Sequence, residues 1–116
     1  MTEASNSDAR NRDDVPVVLI LDVSFMSDEA PSFANRTAEL MREVIDGLEG
    51  FLEGRVFEAD DGKRVIITMS WKTRHLWAEA HWNEKVEKLL VDYYQSGAKV
   101  ASTMCYERAV VSAGTV

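Results

Sequence analysis

The sequence predicts an α+β domain in the order β-α-β-β-α-β, and three observations carry that reading. Apolar residues alternate with period two over residues 17–25 and 64–71; they recur at helical spacing from Phe33 to Leu48; and Asp60-Asp61-Gly62-Lys63 divides two strand-like runs. The chain has 116 residues, 46% of them hydrophobic and 28% charged, which suits one small globular domain and excludes a collagenous, coiled-coil or wholly disordered chain.

Residues 1–14 offer only alanine and the initial Met as apolar groups, too little to offset the entropy of ordering, so they read as a polar tail before a domain over 15–111. The first strand, VVLILDVSF over 17–25, places Val17, Leu19, Leu21, Val23 and Phe25 on a fully apolar face and Val18, Ile20, Asp22 and Ser24 on a mixed one. Pro31-Ser32 opens a helix whose Phe33, Thr37, Leu40, Met41, Val44, Ile45 and Leu48 share one stripe, while Arg36, Glu39, Arg42, Glu43 and Asp46 fall elsewhere. Gly47 and Gly50 end it. A second strand spans 51–59, with Gly54 a possible bulge, and the Asp-Gly turn leads into a third strand over 64–71. There Val65, Ile67, Met69 and Trp71 point one way and Ile66, Thr68 and Ser70 the other.

Thr73 is a suitable N-cap for a helical region running to Ser96-Gly97, with Ala78, Trp82, Val86, Leu89, Leu90 and Tyr93 on one stripe. Unbroken, that helix would be about 36 Å long against about 26 Å for an eight-residue strand, so a break is expected over 81–83. Residues 99–111 read as a last strand and 112–116 as a frayed end.

This order is the ferredoxin-like arrangement, a four-stranded antiparallel sheet with both helices on one face. The other face, with Val18, Ile20, Ile66 and Ser70, is too apolar to stand in water alone. Two such sheets stacked face to face make a dimeric α/β barrel, so a homodimer is expected.

Thirteen Lys and Arg against twenty Asp and Glu leave a net charge of -7, which argues against nucleic acid as partner. The single cysteine, Cys105, excludes an internal disulfide and a cysteine-rich zinc site, and reads as a small buried apolar residue. No apolar run approaches the roughly 18 residues of a membrane span, and the polar first residues do not resemble a secretory leader. The expected location is the cytoplasm.

The opening strand, Leu48-Glu49-Gly50-Phe51-Leu52 after the first helix, and the run from Val65 through Trp71-Lys72-Thr73 together resemble the antibiotic biosynthesis monooxygenase family of dimeric α/β barrels. Glu49-Gly50-Phe51 stands where members commonly carry a Pro-Gly-Phe turn, and Ser70-Trp71-Lys72-Thr73 matches their passage from a strand Trp into the second helix. The resemblance covers about residues 16–111. It implies oxidation of a phenolic, quinol or polyketide-like aromatic by dioxygen, without metal or flavin: the ring loses a proton and its anion passes an electron to oxygen. The quinol-oxidising branch resembles Asn-x-x-x-Trp with a Tyr six residues later; here Trp71 is present, but Ile67 stands at the Asn position and Trp77 at the Tyr position. The haem-degrading branch places an Asn on the first strand and a His late in the second helical region, and this sequence has neither.

Candidate site residues follow. Trp71, with Ile67 and Met69 on the same strand face, walls a substrate pocket or packs a strand end. Trp77 and Trp82 make three tryptophans in twelve residues, more than a minimal core needs. His81 and His75 are the candidate catalytic bases, because imidazole titrates near neutrality. Six residues apart, about 240° around a helix, they do not face a common metal, and either reads equally as a surface residue. Asp22, mid-strand, needs a partner such as Arg55, Arg108 or Ser24, within the chain or across a dimer. Tyr93, Tyr94 and Tyr106 are possible donors to a substrate oxygen. Two other readings stay open: a non-catalytic module that binds a small apolar ligand, and an isomerase-type enzyme that needs a base but no oxygen.

Overall fold

The computed structural model describes residues 15–95 and 97–114. The tail expected over 1–14 and the side chains of Leu89, Leu90, Tyr93 and Tyr94 lie outside the described residues. In chain order the elements are β1 (Val17–Ser24), α1 (Ala30–Glu43), a 3-10 turn (Ile45–Gly47), β2 (Phe51–Glu58), β3 (Arg64–Trp71), α2 (Arg74–His81), α3 (Glu84–Gln95) and β4 (Lys99–Tyr106). The four strands form one antiparallel sheet in the order β2-β3-β1-β4. The fold is α+β and ferredoxin-like, as its sequence pattern predicts.

The period-two alternation sets the two faces. Val17 pairs with Trp71, Leu19 with Met69, Leu21 with Ile67 and Val23 with Val65, and all eight side chains are buried. Above them α1 inserts Ala30, Phe33, Thr37 and Met41, and the 3-10 turn adds Ile45. Phe25 meets Phe33 edge to face at 4.9 Å, which pins the end of β1 under the first turn of α1. On the opposite face Val18, Ile20 and Asp22 alternate with Ile66, Thr68 and Ser70, all half-buried although no helix covers them. The outer strands bring Phe57 and Arg55 from one side and Ala101, Thr103 and Cys105 from the other.

The hairpin turn closes as Asp-Gly predicts: Gly62 takes φ 71°, its N–H reaches Ala59 O at 2.9 Å, and Ala59 N–H reaches Arg64 O at 2.9 Å. Thr73 caps α2, its Oγ1 accepting from Leu76 N–H at 3.1 Å. The expected break falls between His81 and Glu84, where Asn83 caps α3 through an Oδ1 bond from Lys85 N–H at 2.9 Å.

Three local expectations are corrected. The irregularity in β2 lies between Phe51 and Glu53, not at Gly54. Gly54 meets a packing need instead, since a Cβ there would lie 2.7 Å from Met41 Sδ. The last strand stops at Tyr106 rather than 111, because its partner β1 begins at Val17, opposite Tyr106, and the ladder has no earlier strand residue to pair with. Among the described residues the expected stripe along the second helical region does not run through the break, which resets the helical phase. Ala80 and Val86 are buried, whereas Ala78 and Trp82 face outward.

Candidate functional site

Trp71 is the last residue of β3 and lies on the helix-covered face, so its indole enters the core where β3 passes into α2. The crossing is fixed on both sides. Lys72 N–H reaches Gly50 O at 2.8 Å, tying the chain after Trp71 to the turn before β2, and Thr73 then starts α2. Gly50 takes φ 89°, and a Cβ there would lie 2.6 Å from Leu76 Cδ1, so the missing side chain is what lets α2 settle against this turn.

That placement assembles a run of rings. Phe51 meets Trp71 at 5.3 Å between centroids, Trp71 meets Trp77 at 5.5 Å, Trp77 meets His81 at 5.7 Å and His81 meets Trp82 at 5.6 Å. Helical geometry explains the later steps: Trp77 and His81 are four apart on α2, and Trp82 follows at its C-cap. Trp71 is 1% exposed, Trp77 and His81 are half-buried, and Trp82 is 75% exposed, so the run climbs from the sheet to the surface. Ile67 and Met69 sit beside Trp71 on the same face of β3, both buried.

Trp71 Nε1 is fully buried and has no hydrogen-bond partner among the described residues. An indole N–H shut away from water without an acceptor costs about 1–3 kcal/mol, so its burial at the floor of the ring cluster is an unmet hydrogen-bonding need. Trp71, Trp77, Ile67, Met69 and His81 are therefore brought together. Trp82 touches the cluster only through His81. His75 stands apart on the outer side of α2, its Nε2 3.3 Å from Glu79 Oε1, with both side chains mostly in solvent. Arg55 is engaged by Glu53 at 2.8 Å, and Arg108 lies exposed beyond the last strand.

Two features escaped the sequence reading. Asp22 finds its partner in Arg64, whose Nη1 donates to Oδ2 at 3.3 Å, while Oδ1 is buried on the open sheet face with no partner among the described residues. Register supplies the link, since Arg64 pairs with Ser24 and shares the face of Asp22. The second is an open cleft of about 460 Å³ between the end of α1 and the start of α3, lined by Glu43, Val44, Gly47, Leu48, Asn83, Glu84 and Lys85. The helix break that creates its far wall was legible; the separation of the two helix ends was not.

No sequence-family model and no curated protein sequence matches the chain. Solved structures do. SnoaB, a cofactor-independent oxygenase from Streptomyces nogalater, aligns with TM-score 0.70 over 84% of this chain and 97% of its own, at 9% identity. The chain has the SnoaB fold. A candidate antibiotic biosynthesis monooxygenase from Nitrosomonas europaea aligns with TM-score 0.67 over 79% of this chain and 89% of its own, at 16% identity. A dimeric ferredoxin-like protein from an uncultured marine organism aligns with TM-score 0.67 over 83% and 98%, at 17% identity. Structures named as monooxygenases of this family are thus among the neighbours, as the sequence resemblance implies, and at these identities the likeness concerns the fold. No described helix is long and apolar enough to cross a membrane.

Proposed function

We propose that this protein is a cofactor-independent oxygenase acting on a small electron-rich aromatic, a phenol, quinol or polyketide-like compound, held against Trp71 and Trp77. The observation that carries the proposal is the buried, unpartnered Nε1–H of Trp71, set among stacked rings. An indole donor in a low-dielectric aromatic cluster suits a phenolate oxygen: the hydrogen bond strengthens as negative charge develops there, and water is kept from the reactive anion. Ile67 and Met69 supply apolar wall. His81, half-exposed and in contact with Trp77, is the base proposed to take the phenolic proton and release it to solvent. The carbanion-like ring then gives one electron to dioxygen. The resulting pair recombines at carbon, and the hydroperoxide loses water to leave the oxidised ring.

The working unit in this proposal is a homodimer joined through the open sheet face, in a cytoplasmic protein. Val18, Ile20, Ile66 and Phe57 give that face its apolar character, and Asp22 Oδ1, buried without a partner, is an acceptor for a donor on a second copy.

The test is oxygen uptake by the whole chain with a panel of phenols and hydroquinones, repeated in the presence of a chelator. Turnover that persists with chelator, falls in Trp71→Phe and His81→Ala, and is unchanged in His75→Ala supports the reading. Ligand binding without oxygen uptake would replace it with the small-ligand module. Oxygen-independent conversion of an added substrate would point to the isomerase-type enzyme.

A further inference from the structure

We propose that Trp71, Trp77, His81 and Trp82 form an electron-transfer route that carries oxidising equivalents from the buried end of the ring cluster to the protein surface. The inference rests on the oxygenase reading for the source of the oxidant. Its geometry stands by itself. Successive centroids lie 5.5, 5.7 and 5.6 Å apart, so each ring is in contact with the next, and exposure rises from 1% at Trp71 to 75% at Trp82. Electron tunnelling falls steeply with the gap between donor and acceptor, which favours transfer along touching rings over escape through the aliphatic core. Indole is also among the most readily oxidised side chains.

The two ends differ in a way that gives the route a direction. Among the described residues the Nε1–H of Trp71 has no acceptor, so when no substrate oxygen accepts from it an oxidised Trp71 keeps its proton, remains a strongly oxidising radical cation and draws an electron from Trp77. At Trp82 water receives the N–H proton, and the hole is trapped as a neutral radical. His81 is harder to oxidise than indole. It couples Trp77 to Trp82 as a bridge and does not hold the hole.

The oxidant is an oxygen-centred radical, a hydroperoxyl or organic peroxyl species, of the class formed when an aromatic anion reduces dioxygen by one electron. It takes an electron from Trp71 and a proton from solvent and becomes a hydroperoxide. Trp77 refills Trp71, Trp82 refills Trp77 across His81, and Trp82 releases one proton to water. A soluble reductant of the thiol or ascorbate class then returns a hydrogen atom to the exposed indole. The buried indoles are spared covalent oxidation, and the damage is moved to a position where it is repaired.

The test needs neither substrate nor turnover, so its failure is distinguishable from failure of the oxygenase reading. The whole chain is irradiated with near-ultraviolet light in the presence of hexaamminecobalt(III), an irreversible one-electron acceptor, and oxidised tryptophan is located by peptide mass mapping. With the route intact, holes made on any of the three indoles collect at Trp82 while Trp71 and Trp77 are spared. Trp77→Phe cuts the route, so the yield at Trp82 falls from the share of three indoles to that of one, about threefold, and products appear at Trp71. His81→Leu, at a half-exposed position that keeps both neighbouring indoles, gives the same fall with products at Trp77 and serves if Trp77→Phe does not fold. An unchanged Trp82 yield in a variant with wild-type circular dichroism would overturn the proposal.

Discussion

Replacing Gly50 by alanine tests whether the turn before β2 really positions α2. Two costs combine at this position. The backbone has φ 89°, where an L side chain is disfavoured by about 1–2 kcal/mol. The new methyl would also lie 2.6 Å from Leu76 Cδ1 and 2.7 Å from its Cβ, and because the Cβ is fixed to the helix backbone, α2 itself must move. Overpacking of that kind costs about 1–3 kcal/mol, for a total of about 2–5 kcal/mol. Gly62→Ala is the reference, since Gly62 has φ 71° and nothing within 4 Å, so only the backbone cost applies. Urea unfolding followed by circular dichroism and tryptophan fluorescence measures both. Gly50→Ala is expected to exceed Gly62→Ala by about 1–3 kcal/mol, and to change the fluorescence of the folded state as Trp77 shifts over Trp71. Equal costs would mean that α2 does not lie against this turn, and the argument that the turn sets the ring cluster would fail.

Thr73→Ala removes the cap of α2 and lowers stability by about 1 kcal/mol in the same urea measurement. Ile66→Asp places a charge on the open sheet face; if the proposed dimer forms through that face, light scattering reports a dimer for the wild type and a monomer for the variant, with circular dichroism unchanged. Trp71→Phe removes the unpartnered N–H and leaves an aromatic ring, so it should cost less stability than the roughly 3–5 kcal/mol of truncating a buried aromatic to alanine. It should also weaken calorimetric binding of a phenol by about fivefold, as expected for one neutral hydrogen bond worth about 1 kcal/mol.

The fold was legible because its signals are local and repeated. Alternation over β1 and β3, the stripe from Phe33 to Ile45, and the turns at Gly62 and Gly50 each demand one kind of element, and their order leaves few topologies. The break near Trp82 was also legible, from helix length alone. Its effect on phase was not, since a break resets which residues face inward, and Trp82 lies outward while Ala80 lies inward. The grouping of Trp71, Trp77 and His81 followed from sequence only in part. Trp71 was placed on the covered face by alternation, but its contact with Trp77 depends on how Gly50 and Leu76 seat α2. Long-range partners were hidden for the same reason. Asp22 and Arg64 are far apart in sequence, and only the β1–β3 register, an outcome of the whole sheet, makes them neighbours.

The strand order has a consequence for synthesis on the ribosome. β1 is made before the other three strands of the sheet, yet its two neighbours are the third and fourth strands. While only β2 and β3 have emerged, β1 can pair on one side, and the row of N–H and C=O groups that will meet residues 99–106 stays open along an apolar strand. Such an edge is a template for another nascent chain. The growing polypeptide is most prone to intermolecular pairing between completion of the β1–β3 ladder and arrival of Tyr106, a window occupied by synthesis of both later helices.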